Sequence, residues 1–351
     1  GKTMAKKIVP FYHRGNEKDI MQGFSVLEAY GFSLVLVEKT VDEDELAYQN
    51  SMLSVEVNGP DKTPINPAVF DEIRDAEIII THFAPVSRAM IEAAPDLKII
   101  GTLRTGMENI NMEAANERGI QVINAPGRAA VAVADFTVAA MICEMRNIAR
   151  TDADIKAGRW TKKFANIGYA DNMCNCTVGL VGFGDIGRKI AKRLQGFDTK
   201  VLAYDPYCPD ERIREAGGTP VDFDTLLRES DFISLHVRLS PETHNMFGAA
   251  EFAKMKPTAI FVNEARAGLV DESAMLDALQ NKRIGGAVLD VFHQEALPAD
   301  HPLRSMDNVT LSAHLAGTDK GTFSGSVSIV ADDLKQYFEG NPLKHVVNRK
   351  A

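Results

Sequence analysis

Short β-branched runs alternate with stretches of helical period along this chain. In the first third, Lys7–Pro10, Ser33–Val37, Ile78–Thr81 and Lys98–Thr102 read as strands, each an apolar cluster bounded by Gly, Pro or Asp. Asn16–Tyr30, Pro67–Asp75, Ser87–Ala94 and Met112–Arg118 carry helical period with polar ends. From about Tyr48 to Pro67 neither period holds, and Pro60, Pro64 and Pro67 mark an irregular excursion. The acidic run Asp42–Glu45 reads as a solvated face.

A long apolar helix is predicted over Ala129–Arg150, where Asp135 is the only charge before Glu144. Such a helix must be covered on most faces, and either a second domain or, the favoured expectation, a second subunit would serve. From Thr177 the alternation becomes regular. Val178–Val181, Lys200–Tyr204, Phe232–His236, Ala259–Asn263, Gly286–Leu289 and Val309–Leu311 are six strand candidates. Gly187–Gln195, Asp222–Arg228, Ala249–Met255 and Asp271–Gln280 are helices between them. That order is the signature of an α/β chain with a doubly wound parallel sheet. The tail, Thr322–Glu339, reads as one amphipathic helix returning to the N-terminal domain. The length suits two domains. The expectation is therefore two Rossmann-like domains, one discontinuous (1–125 plus 318–351) and one spanning 126–317. Hinges are expected at Pro126-Gly127 and Gly317, with the active site in the cleft between the domains.

Composition narrows the function. Hydrophobic and charged fractions of 45% and 25% are those of a globular protein. A formal net charge of -9 argues against nucleic acid and anionic membrane as partners, so an anionic substrate would have to be drawn in by local cations. Cys143, Cys174, Cys176 and Cys208 are too few and too uneven for a disulfide framework, and Cys174-Asn-Cys176 lacks the companions of a zinc site, so no metal is expected. No run approaches ~18 apolar residues. Gly1-Lys2-Thr3, ahead of Met4, lacks the apolar core of a signal peptide, and a cytoplasmic location is expected.

The first chemical motif is Gly182-Phe-Gly184-Asp185-Ile186-Gly187, directly after a strand and opening a helix. In that context the first glycine permits the tight turn, the second lets a pyrophosphate approach the backbone, and the third lets helix and strand pack closely. The helix N-terminus presents free N–H groups and a positive dipole to the phosphates. Asp205 ends the next strand, where a carboxylate accepts from both adenosine ribose hydroxyls and repels a 2′-phosphate. No Lys or Arg follows it immediately, so NAD is favoured over NADP.

Three more segments fall at the ends of later strands: Asn263-Glu264-Ala-Arg266, Asp290-Val-Phe-His-Gln-Glu295 and Ser312-Ala-His314-Leu-Ala-Gly317. With the glycine fingerprint and Asp205, the stretches NEARAGLVDE, LDVFHQE and SAHLAG resemble the D-isomer-specific 2-hydroxyacid dehydrogenase family, in its phosphoglycerate-dehydrogenase-like branch. The resemblance runs from about Asp75 to the end. It implies an NAD-dependent oxidoreductase that moves a hydride between the nicotinamide and C2 of a small 2-hydroxy or 2-keto acid, 3-phosphoglycerate being one candidate and a glyoxylate-type acid another. With the apolar helix Ala129–Arg150 to be covered, a homodimer is expected.

The resemblance gives Arg266 the substrate carboxylate and reacting oxygen, which suits a rigid guanidinium fork. His314 would be the acid–base, and Glu295 would orient its ring and favour its protonated form. His236 and Thr243 would lie near the cofactor, with Glu264 among its contacts and Asp290 beside the nicotinamide carboxamide. His293 and His301 read as loop residues.

The substrate loop departs from the family pattern. Gly106 and Asn109 fit, but Thr102 stands where an Arg is common, Arg104 where a Gly is common, and Glu108 for an Asp. Arg104, Thr105 and Gly106 are the substrate-binding candidates here, with Arg104 either a second anion contact or a solvent-facing side chain. Arg238 and Ala267 are smaller departures. With so few residues after Val347, no C-terminal regulatory domain is expected. A competing function is an NAD-sensing binding protein or corepressor on the same scaffold.

Overall fold

The computed structural model describes residues 6–13, 15–38 and 45–348. The chain forms two compact units, Gly1–Arg128 with Asp319–Ala351, and Ala129–Thr318.

In the first unit the strands are β1 (Lys6–Tyr12), β2 (Phe32–Leu34), β3 (Val37–Glu38), β4 (Ala76–Thr81), β5 (Ile99–Thr102) and β6 (Gln121–Ile123). They run parallel in the order β2-β1-β4-β5-β6, and β3 also pairs with β1. Alternate residues face two cores, as the period of two requires. Val9, Ile79, Ile100 and Val122 pack with Met90, Ile91, Ala114 and Ala115 on one face. Ile8, Ile78, Ile80, Ile99 and Ile123 pack with Ile20, Phe24, Val327, Val330 and Leu334 on the other. The C-terminal helix Lys320–Phe338 closes that second face, its Phe338 ring stacked 4.1 Å from Phe32.

The second unit holds β7 (Thr177–Val181), β8 (Lys200–Tyr204), β9 (Thr219–Pro220), β10 (Phe232–Leu235), β11 (Ile260–Asn263), β12 (Gly286–Leu289) and β13 (Val309–Leu311). The order β13-β12-β11-β10-β7-β8-β9 is parallel throughout and reverses direction beside β7, which is the topological switch point of a doubly wound sheet. Here too both faces are buried. Val178, Leu180, Val262 and Val288 share one core. Ile233, Leu235, Phe261 and Leu289 share the other.

Four expectations need correction. The segment from Tyr48 is a helix, Glu45–Asn58. It has no apolar stripe, with Val55 fully buried and Val57 exposed, so period gave no signal. Ser33–Val37 divides into β2 and β3, while β6 and the edge strand β9 are too short to register as patterns. The helix predicted over 129–150 ends at Met145. Asn147 takes a left-handed conformation (φ 57°), and a second helix runs Ile148–Lys156. One face of the helix Ala130–Met145 is covered within its own unit, where Ala134, Val138, Met141 and Met145 join the core of the second sheet. Of the acidic run, Asp42–Asp44 lie outside the described residues.

Glu144 explains how that helix is fastened. Its carboxylate, 4% exposed, takes a bidentate bond from Arg150 (2.5 Å) and one from Thr310 on β13 (2.6 Å). Removing one partner of a buried pair strands the other charge. Glu144→Ala should therefore cost about 3 kcal/mol, read as a lower urea midpoint, whereas Lys156→Ala, at an exposed helical pair, should leave the midpoint within error.

Candidate active site

Parallel pairing in the second sheet is in register at its carboxyl edge. Tyr204, Val181, Leu235, Asn263, Leu289 and Leu311 are successive partners across β8, β7, β10, β11, β12 and β13. The residues that follow them are Asp205, Gly182, His236, Glu264, Asp290 and Ser312. Strand spacing sets each about 4.8 Å from the next. Register alone thus draws one row from positions spread over more than a hundred residues.

At one end of the row is the glycine turn. Gly182 has φ +92°, and a Cβ there would lie 2.5 Å from the His236 carbonyl oxygen. A Cβ on Gly187 would meet the Gly182 carbonyl oxygen at 2.9 Å, whereas one on Gly184 would meet nothing within 4 Å. The turn is therefore closed on its protein side and open at Gly184, the position where a pyrophosphate must approach backbone. The helix Asp185–Gln195 starts there with Gly184 as its N-cap. Asp185 leans along the helix to Lys189 (2.7 Å), and Ile186 packs on the unit's core. Asp205 accepts from the Phe183 amide (2.8 Å) and the Tyr207 amide (2.9 Å). A carboxylate has about four acceptor sites, so lone pairs remain for two ribose hydroxyls. These residues fit NAD.

At the other end, three segments meet. Asn263, 2% exposed, accepts from the Ala265 amide and donates to the Arg266 carbonyl, folding the segment that presents Arg266. Arg266 donates from Nη1 to Ala265 (2.7 Å), and its other guanidinium nitrogens have no hydrogen-bond partner among the described residues. His314 Nδ1 and Glu295 Oε2 are 3.0 Å apart. Burial works to lower the His314 pKa, but the hydrogen bond and charge of Glu295 outweigh it and raise it above the usual imidazole value. Burial would raise Glu295, but the His314 bond and charge, the Phe292 amide and the Arg266 charge together hold it below the usual carboxylate range. Arg266 acts on both partners, so the structure brings the three expected catalytic residues together.

Asp290 does more than its motif suggested. Fully buried, it accepts from Ser312 Oγ (2.6 Å), the Leu315 amide (2.7 Å) and the Ala316 amide (2.9 Å). Those donors flank His314, which sits at φ +55°, a backbone conformation that costs a non-glycine residue energy unless its surroundings impose it. Ser312, quoted in its motif without a role, is part of that grip.

His236 lies in the row, and burial lowers its pKa to about 4, so its ring, bonded to Ser234 Oγ (2.8 Å), is neutral. Thr243 is committed to its own turn, accepting from the Ser240 amide (2.8 Å) and donating to Arg238 (2.6 Å). Glu264 is buried, and Thr137, 127 residues away, is its partner, a contact with no local signal. His301 caps a short turn and pairs with Glu272, and His293 is exposed.

In the first unit, Arg104 does not face solvent. It is 3% exposed, stacked 4.5 Å over Phe83, and paired with Glu56 (2.6 Å) and Glu108 (3.7 Å). The Asn124 amide holds the Thr105 carbonyl (2.8 Å), and a Cβ on Gly106 would collide with the Glu108 carboxylate. Buried Asn109 donates to the Ala84 and His82 carbonyls. Among the described residues no helix is long and apolar enough to cross a membrane, and no group of three His, Cys, Asp or Glu could hold a metal ion.

Residues 138–316 match the model of the D-isomer specific 2-hydroxyacid dehydrogenase NAD binding domain. A D-3-phosphoglycerate dehydrogenase of Archaeoglobus fulgidus is 36% identical over 90% of this chain and 59% of its own length, so this chain spans under two thirds of that relative. A glyoxylate reductase of Thermococcus litoralis is 34% identical over 90% of this chain and 96% of its own. The D-lactate dehydrogenase of Lactobacillus jensenii, solved with NAD+, superposes with TM-score 0.78 at 28% identity, covering 98% of this chain and all of that one. With the glycine turn, Asp205 and the Arg266–Glu295–His314 group in place, the chain belongs to the D-isomer-specific 2-hydroxyacid dehydrogenase family and uses NAD.

Proposed function

We propose that this protein is an NAD-dependent D-2-hydroxyacid dehydrogenase acting on a small, unphosphorylated 2-keto acid or its 2-hydroxy counterpart. The observation that carries the activity is the 3.0 Å contact of His314 with Glu295 beside Arg266. NAD, when bound, takes the hydride from C2 or, reduced, returns it. Arg266 offers unengaged N–H donors to the carboxylate and to the oxygen on C2, where charge grows during reduction. His314 gives that oxygen its proton, and in oxidation removes it. Glu295 fixes the ring through Nδ1, leaving Nε2 for the substrate, and its charge keeps the ring protonated to higher pH. Asp290 holds the loop that carries the ring.

The choice of substrate rests on Arg104. Paired with Glu56 and Glu108, it brings no net positive charge to the loop that also carries Thr105 and Gly106, the further substrate contacts in this proposal. A phosphoryl group, at a charge near -2, calls for uncompensated cations. A homodimer, general in such a family, belongs to the same proposal.

The pair His314–Glu295 sets the pH dependence. Reduction needs protonated His314, whose pKa is raised by Glu295. The rate should therefore fall as pH rises through that pKa, and Glu295→Gln should move this alkaline limb to lower pH. His314→Ala should lower kcat about 10²–10⁴-fold with NADH affinity unchanged. An unmoved limb or a fully active His314→Ala enzyme would refute the pair.

Arg266→Ala should raise KM for the 2-keto acid and lower kcat while fluorescence titration gives a wild-type Kd for NADH. A substrate panel tests the chemistry itself: kcat/KM for glyoxylate and hydroxypyruvate should exceed that for 3-phosphohydroxypyruvate. The reverse order would overturn the unphosphorylated choice, and absence of NADH oxidation with every 2-keto acid would overturn the activity.

A further inference from the structure

The loop that carries Thr105 and Gly106 leaves the end of β5 and lies against Asn124 and Ala125, which follow β6. The Ala125 amide donates to the Arg104 carbonyl (2.9 Å). The Asn124 side-chain amide donates to the Thr105 carbonyl (2.8 Å), and Thr105 Oγ1 donates to the Ala125 carbonyl (3.3 Å). The peptides of this loop are trans. A trans peptide points its carbonyl and the next N–H in opposite directions. With the Arg104 and Thr105 carbonyls turned to residues 124–125, the N–H groups of Thr105 and Gly106 are turned away from them. Neither N–H has a hydrogen-bond partner among the described residues. Both residues are part-exposed, so a ligand can reach these donors. Adjacent amides presented to one side suit a carboxylate. Their direction needs a lock, because Gly106 has no Cβ to restrain its backbone and the Thr105–Gly106 peptide turns at little cost unless its carbonyl is tied.

Asn124, 7% exposed, is held in turn by the segment that follows the C-terminal helix. β6 is an edge strand of the first sheet, and residues 343–348 lie along it, with an antiparallel bridge between Ile123 and Val346. The Asn124 backbone amide donates to the His345 carbonyl (3.3 Å), and the Val347 amide to the Val122 carbonyl (2.9 Å). Asn348 accepts from the Val122 amide (2.9 Å) and donates to the Ile120 carbonyl (2.8 Å). Asp333, on the helix and 2% exposed, accepts from the Lys344 amide (2.6 Å) and the His345 amide (2.9 Å). A continuous set of hydrogen bonds thus joins the C-terminal helix to the substrate loop through Asn124.

We infer that Asn124 is a positioning residue for the 2-keto acid: by holding the Thr105 carbonyl it fixes the direction in which the Gly106 N–H meets the substrate carboxylate, and the segment 343–348 keeps Asn124 in place. This rests on the reading of Thr105 and Gly106 as substrate contacts. It adds a role in substrate affinity for a segment that carries no motif.

The test combines steady-state kinetics with fluorescence titration of oxamate, an unreactive carboxylate analogue of a 2-keto acid, into the enzyme–NADH complex. Asn124→Ala removes the bond to Thr105, and Asn124→Asp sets a carboxylate against its carbonyl oxygen. Both should raise KM for the 2-keto acid and Kd for oxamate about five- to tenfold, the worth of one neutral hydrogen bond. kcat should change little, and the Kd of NADH should stay at its wild-type value. Asn348→Ala should move KM and the oxamate Kd in the same direction by a smaller factor. Val69→Ala, buried in the same unit but outside this network, should lower the urea midpoint and leave both at wild-type values. Asn124 variants with unchanged KM and oxamate affinity, or with no larger change than Val69→Ala shows, overturn the assignment. A wild-type enzyme that neither reduces a 2-keto acid nor binds oxamate overturns the substrate reading beneath it, which separates the two failures. Should the Asn124 variants not fold, Asn348→Ala measured against Val69→Ala decides.

Discussion

Parallel strands that pair in register leave no freedom at their ends, and the second sheet of this protein is built on that constraint. Once Val181, Leu235, Asn263 and Leu289 are mutual partners, the next residue of each strand must stand in one line at the carboxyl edge. A one-residue slip would turn every core side chain to the opposite face. The burial of both faces therefore protects the row as firmly as the hydrogen bonds do. Gly182, Glu264 and Asp290 hold their places because Leu180, Val262 and Val288 cannot leave theirs.

On that edge, buried polar groups position the exposed ones that meet ligands. Asp290 is fully buried and grips the loop on both sides of His314, whose own side chain is 41% exposed. Asn263 does the same for the segment bearing Arg266, through two bonds inside one turn. A reactive side chain cannot be both solvent-reaching and rigid through its own packing, so its rigidity is supplied from below. The acid–base residue is thereby held in a left-handed backbone conformation that an unsupported loop would relax.

The electrostatics follow the same division. The chain carries a net charge of -9 yet belongs to a family acting on anions, and the compensation is local. Arg266 is left with unengaged donors beside His314, while Arg104, for which the motif left open an anion contact or a solvent-facing side chain, is balanced by Glu56 and Glu108. The two arginines thus differ in the charge they leave free, and only their partners tell them apart.

Much was legible in the sequence because it is local. The glycine spacing, the strand-end acids and the apolar runs are short-range consequences of turn geometry and two-sided burial, so Gly182 and Asp205 could be named from pattern, while Arg266, Glu295 and His314 are named through the family resemblance of the segments that carry them. Where the local signal was absent, the structure differed: the helix Glu45–Asn58 lacks an apolar stripe, and β6 and β9 are too short to show a period. What tertiary structure alone decided is pairing over distance. Glu264 with Thr137, Arg104 with Glu56 and Asp290 with the loop at 312–316 join residues from 22 to 127 positions apart. The sequence by itself determined which kinds of group stand at the strand ends. Which of them stay charged, which hold others and which remain open to a ligand depends on the neighbours that folding brings within hydrogen-bonding reach.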